Sequence, residues 1–126
     1  MAQANGINCL GLIVGSSALP GDAQTDAFVY VNGIMMDLGT LGGSFSQANA
    51  INDAGQIVGF SKIAGDADSH AVLWTPNGGL QDLNQLIPGD SGWDLQGANS
   101  ISSNGNIVGA GLHNGQGHAF LLVPVH

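Results

Sequence analysis

Apolar residues in this chain fall in short runs at successive positions rather than at every second one. Ile57-Val58-Gly59-Phe60 and Ala71-Val72-Leu73-Trp74 are the clearest examples. A strand with one wet face alternates apolar and polar side chains, so unbroken runs predict strands covered on both faces. Turn signals separate them. Asn52-Asp53-Ala54-Gly55 offers residues that tolerate positive φ, and Pro76-Asn77-Gly78-Gly79 combines a fixed φ with an Asn-Gly reversal. The middle of the chain therefore predicts four strands: A at 48–51, B at 56–61, C at 70–75 and D at 80 to about 86. A longer polar loop, 62–69, lies between B and C.

The pattern repeats. Ala48-Asn49-Ala50-Ile51 followed by Gly55-Gln56-Ile57-Val58-Gly59 has counterparts in Ala4-Asn5-Gly6-Ile7 with Gly11-Leu12-Ile13-Val14-Gly15, and in Ala98-Asn99-Ser100-Ile101 with Gly105-Asn106-Ile107-Val108-Gly109. The spacings are 44 and 50 residues. A second block recurs as Asp26-Ala27-Phe28, His70-Ala71-Val72 and His118-Ala119-Phe120. A third block, Asp37-Leu38 and Asp82-Leu83, occurs twice. Four short strands in about 44 residues match one blade of a β-propeller, and stacked blades bury both faces of their strands. A parallel β-helix is the rival architecture, but its coils are shorter than this period. Gly15, Gly59 and Gly109 are expected where neighbouring sheets approach too closely for a side chain. The boundaries expected are 4–47 and 48–97 for two complete blades and 98–126 for an incomplete third.

Composition agrees with an all-β chain. Of 126 residues, 21 are Gly, and all nine acidic residues are Asp. The helix formers Glu, Lys and Arg together contribute only Lys62. With 44% apolar residues the chain is not of disordered type. The net charge of −8 excludes nucleic-acid binding, which needs cations to neutralise phosphates, and attraction to an anionic membrane. No apolar stretch approaches the ~20 residues of a membrane-spanning helix. Met1-Ala2-Gln3-Ala4 has neither a basic nor an apolar region, so no secretory signal is expected there. Cys9 is the single cysteine. It bridges two chains or stands unpaired in a turn.

His118-Ala119-Phe120, together with the stretch 51–59 and Asp37-Leu38-Gly39-Thr40-Leu41-Gly42-Gly43, resembles the signatures of the HAF repeat family, named for His-Ala-Phe. The resemblance covers nearly the whole chain, with three motifs recurring in the same order. It implies β-propeller-like repeats, an extracellular or periplasmic location and no established biochemical activity. The first copy departs from the pattern, with Asp26 in the place of His and Cys9 where the second copy has Asp53.

Counting strands gives four, four and three, eleven in all. Closed propellers have about four to eight blades, so three leave two apolar faces open. Two chains joined head to tail would close six blades, and a homodimer is therefore expected, unless the chain is a piece of a longer propeller.

Function is expected on the face carrying the B–C and D–A loops, namely 16–25, 62–69, 110–117, 42–47 and 88–97, since variable loops on a rigid scaffold commonly carry binding. Phe45, Asp90, Trp93, Asp94, His113 and Asn114 are the candidate ligand-binding residues. An aromatic ring beside carboxylates suits a sugar, although Trp93 equally well packs between blades. Asp22 and Asp26, then Asp66 and Asp68, occupy corresponding loops and offer paired carboxylates to Ca²⁺, or act as turn residues. His70 and His118, at the starts of C strands, are expected to bond neighbouring backbone. Asn5, Asn49 and Asn99 either line a central channel or bond adjacent backbone.

A non-enzymatic module binding a glycan or a protein fits this surface best. A glycoside hydrolase using Asp90 and Asp94 is the alternative, disfavoured because no Arg, Glu or second Lys is present to clamp a charged transition state. A purely structural array is the third possibility.

Overall fold

The computed structural model describes residues 2–18, 25–66, 68–75, 79–87 and 92–123. Eleven strands run through them: β1 (Ala2–Ile7), β2 (Ile13–Ala18), β3 (Thr25–Val31), β4 (Ile34–Gly39), β5 (Gly42–Ile51), β6 (Ile57–Ile63), β7 (Ser69–Thr75), β8 (Gly79–Asp82), β9 (Trp93–Ile101), β10 (Ile107–His113) and β11 (Gln116–Leu122). The protein is all-β, and its described residues contain no α-helix. Successive strands pair antiparallel as β1-β2-β3-β4, β5-β6-β7-β8 and β9-β10-β11. One parallel bridge, Thr25 to Phe45, joins the first two meanders into a single sheet, and none of the sheets closes on itself.

Several boundaries differ from the sequence reading. β5 begins at Gly42 and β9 at Trp93, so 42–47 and 93–97 are strand rather than loop. The expected loop 110–117 is a tight hairpin between β10 and β11, turning on Asn114 (φ 53) and Gly115 (φ 84), both in the left-handed region that Asn-Gly favours. The last expected strand of the middle copy is shorter, because Asp82 ends it. The Asp82 carboxylate accepts from the Asn84 amide and starts a 3₁₀ turn over Leu83–Gln85.

Two apolar cores lie between the three meanders. Val14, Ala27 and Val29 of the first pack on Ala48, Ile51, Ile57, Val72 and Trp74 of the second. Val58, Ala71 and Leu83 of the second pack on Leu95, Ala98, Ile101, Ile107 and Phe120 of the third. Ile57 and Val58, adjacent on β6, thus enter different cores, which explains the unbroken apolar runs. β10, at one end of the stack, shows the alternation of a sheet covered on one side: Ile107 and Gly109 are buried, Val108 and Ala110 exposed.

Each meander carries a β-bulge on its first strand. Register shifts by one residue at Asn5, Asn49 and Asn99, each standing between residues that pair normally with the second strand. The glycines opposite answer to this bulge, not to a neighbouring sheet. A Cβ on Gly15, Gly59 or Gly109 would meet the carbonyl oxygen of Gln3, Gln47 or Gly97, on the first strand of its own meander.

The bulge also turns the Asn side chain toward the next meander. Asn5 donates to the Ala48 carbonyl (3.0 Å) and Asn49 to the Ala98 carbonyl (2.8 Å). A parallel rung joins the A–B turns, where Asn8 donates to the Asn52 carbonyl (3.1 Å) and Asn52 to the Ser102 carbonyl (2.9 Å). The Asn8 and Asn52 Oδ1 atoms meanwhile accept backbone amides of their own turns. Gly59→Ala is expected to cost more than about 3 kcal/mol, because the colliding atom is backbone rather than a flexible side chain. Asn49→Ala, which removes a single bond between meanders, should cost about 1–2 kcal/mol. Thermal or urea unfolding of the two variants checks both values and their order.

Candidate functional site

The ends of β6, β7 and β9 bring a polar cluster to one edge of the second and third meanders. Asp68 immediately precedes β7, His70 is the second residue of that strand, and Asp94 is the second residue of β9. The β7–β8 register sets Asp82 opposite Val72, on the same face as His70. Asp82 Oδ2 lies 2.7 Å from His70 Nδ1. A carboxylate can only accept, so Nδ1 carries the hydrogen and donates it. Nε2 then faces Asp68 (3.8 Å) and Asp94 (3.9 Å).

An acceptor nitrogen facing two carboxylates is unfavourable until a positive charge enters among them. Partial burial, then the Asp68 charge and the hydrogen bond that protonated Asp94 would donate to Asp68, raise the Asp94 pKa above its ordinary value, while positive charge on His70 would act in the opposite sense. The donor atoms of Asp68, His70 and Asp94 lie within 4.8 Å of one another, close enough to share one divalent ion. One imidazole and two carboxylates suit Zn²⁺ or Mn²⁺ better than Ca²⁺, which takes an all-oxygen shell. Asp82 would orient the imidazole from behind.

Of the four carboxylates expected to offer a Ca²⁺ site, only Asp68 belongs to this cluster. Asp26 is buried in β3, Asp66 closes a 3₁₀ turn, and Asp22 lies outside the described residues. His70 bonds a carboxylate rather than backbone.

Beside the cluster is an open cleft of about 440 Å³ lined by Phe60, Lys62, Asp68, Ser69, Gln96 and Asn99 among others. Gln96 Nε2 is 3.5 Å from Asp68 Oδ1. Lys62, the one cation of the whole sequence, opens onto this cleft. Phe45, expected on a loop, sits in β5 and stacks on Phe60 with ring centroids 5.6 Å apart.

The remaining candidates divide. Trp93 stacks on His113 (4.7 Å), meets His118 and Phe120 edge-on, and packs against the second core. Asn114 is a turn residue whose backbone amide donates to the Gly92 carbonyl (2.8 Å). Asp90 lies outside the described residues. Lys62, Gln96 and the Asp82–His70 pair escaped the sequence reading. The pair had a signal, since the His and Asp-Leu blocks both recur, but joining them requires the β7–β8 register.

No family model, no curated protein and no solved structure matches the chain. No helix among the described residues is long and apolar enough to cross a membrane.

A raised pKa means that folded Asp94 holds a proton more tightly than the unfolded chain does, so its ionisation costs stability as pH rises and the cost disappears in acid. Asp94→Asn is therefore expected to raise the melting temperature at pH 7, with the difference from the parent shrinking as pH falls through the Asp94 titration. Melting curves between pH 3 and 8, recorded with a chelator present, check the sign.

Proposed function

We propose that this chain is a non-enzymatic, β-propeller-like interaction module that joins a second copy head to tail and offers its polar cleft to a ligand. One observation carries the assembly. Several positions equivalent by repeat are buried where a neighbouring meander exists and exposed at the two ends, although Phe28, on the outer face of β3, is itself only 5% exposed. Ile51 and Ile101 are 9% exposed, but Ile7, their counterpart on the first meander, is 65% exposed. Val14 and Val58 are fully buried, whereas Val108 is 43% exposed.

Both open ends carry exposed apolar side chains. Ile7, Tyr30 and Met35 lie on one end, Val108 and Leu121 on the other. The hydrogen-bond rungs match. Asn99 is the next donor of the series and the Ala4 carbonyl its next acceptor, as Asn5 and Asn49 are to Ala48 and Ala98. Two chains related by a two-fold axis satisfy both ends at once and make six blades, a number at which propellers close. The HAF-repeat resemblance, with its extracellular or periplasmic placement, agrees with this reading.

For the ligand, amide, hydroxyl, ammonium and carboxylate groups around the Phe60 ring suit a polyhydroxylated compound such as a glycan. The hydrolase alternative would use Asp90 and Asp94, and of this pair only Asp94 is among the described residues.

Light scattering across a range of concentrations is expected to give a discrete dimer. Leu121→Asp, which puts a charge on one end face without entering either core, should weaken dimerisation at least about a hundredfold. A stable parent monomer would overturn the assembly. A glycan array free of any hit that is lost in Lys62→Ala would overturn the choice of ligand.

A further inference from the structure

We propose that Asp68, His70 and Asp94 form a transition-metal site of the class that Zn²⁺ occupies, and that the ion clasps the second meander to the third. Asp68 and His70 come from the second meander, and Asp94 from the first strand of the third. Among the described residues no ladder joins these two sheets, whereas the first two meanders share the Thr25–Phe45 bridge. A shared ion would tie the junction that lacks a main-chain tie.

Each of the three side chains is held from outside the cluster, which sets them apart from ordinary surface carboxylates. Asp68 Oδ1 accepts the Ser69 amide (2.8 Å) and lies 3.5 Å from Gln96 Nε2, so Oδ2 is the atom turned toward His70. His70 Nδ1 donates to Asp82 Oδ2, so Nε2 keeps its lone pair. Asp82 is held in turn, since its Oδ1 accepts the Asn84 amide (2.9 Å) and lies 3.2 Å from Asn84 Nδ2. Asn84 then clamps the main chain beside Asp94, accepting the Leu95 amide (2.7 Å) and donating to the Leu95 carbonyl (2.9 Å). A continuous set of bonds thus runs from the imidazole to the carboxylate of the neighbouring sheet. Outer partners of this kind fix the tautomer and orientation of metal ligands.

The central gap has the size of an ion. Nε2 stands 3.8 Å from Asp68 and 3.9 Å from Asp94, too far for hydrogen bonds from an imidazolium. With all three donor atoms within 4.8 Å of one another, bonds of about 2.0–2.2 Å to one ion need each donor to close in by roughly 0.3–0.5 Å. Two carboxylates balance the divalent charge, and three protein ligands leave a position for water. The first junction has no such set. There the repeat puts Asp26 in the place of His70 and Ser44 in the place of Asp94. The extra length of the second repeat falls mostly between Asp82 and Ala98, the stretch that carries Asn84 and Asp94.

This site depends neither on dimer closure nor on a glycan in the cleft, and it fails separately from both. The full chain, stripped with a chelator and exchanged into plain buffer, is titrated with Zn²⁺ by calorimetry, with melting temperature and amide hydrogen exchange followed on the same samples. Saturable binding of one ion per chain is expected in the micromolar range or tighter, with Ca²⁺ at least about tenfold weaker. At a hundredfold excess over the dissociation constant the melting temperature should rise by about 5–10 °C, and exchange should slow along both β7 and β9. His70→Gln and Asp94→Asn should each weaken binding about a hundredfold, and Asp82→Asn, a positioning change that removes no ligand, about tenfold. Amide exchange of each variant in chelator should match the parent, which separates lost affinity from lost fold. Absence of saturable binding at millimolar Zn²⁺, tighter binding of Ca²⁺, or unchanged binding in His70→Gln or Asp94→Asn would each overturn the site. Tight binding that raises neither the melting temperature nor the protection of β9 would overturn the clasp.

Discussion

A sheet that is apolar on both faces has no stable solvated form, and every other property of this protein follows from that constraint. β6 places Ile57 in one core and Val58 in the next, so the second meander is folded only as the middle of a stack. Burial of that kind is non-directional. It fixes that sheets must stack, but leaves their offset along the strands open.

Offset is supplied by polar groups. The first two bulges push Asn5 and Asn49 out of the regular ladder and toward the next meander, where each meets the carbonyl just before the following bulge. The glycine opposite makes room for the bulge itself. Two residues far apart in sequence but paired across one hairpin thus form a single device. Slipping one sheet against another by a residue would strand both the amide and the carbonyl, a loss that apolar packing alone would not oppose. Buried serines support the first junction in the same manner: Ser46 donates to the Gly39 carbonyl and accepts the Ala27 amide, and Ser61 accepts the Leu41 amide.

Much of the fold was legible because its signals are local and repeated. Paired apolar runs, the 44- and 50-residue spacings and the Asn-Asp-Ala-Gly turn led to eleven strands grouped four, four and three. The failures are of two sorts. Asn114-Gly115 is a hairpin signal in itself, yet the length of the neighbouring copies' loops masked it. The bulges left no trace in composition and emerge only from register. The polar cluster suffered similarly: Asp68 and Asp94 are separate loop-end residues in sequence, and they come together with His70 because β9 packs beside β7. Trp93, read from the sequence equally as a ligand platform and as packing between blades, lies against the second core, while Phe45 stacks on Phe60.

The rungs run one way. Every Asn donates forward along the chain and every matching carbonyl accepts from behind, which gives the stack a head and a tail, as in a polymer of oriented monomers. Such a polarity makes duplication of the unit inexpensive in evolution: an added copy of this stretch of sequence enters anywhere in the row and finds its acceptor and its donor already in place. It also leaves a hazard, because oriented units that fail to close continue as a fibre.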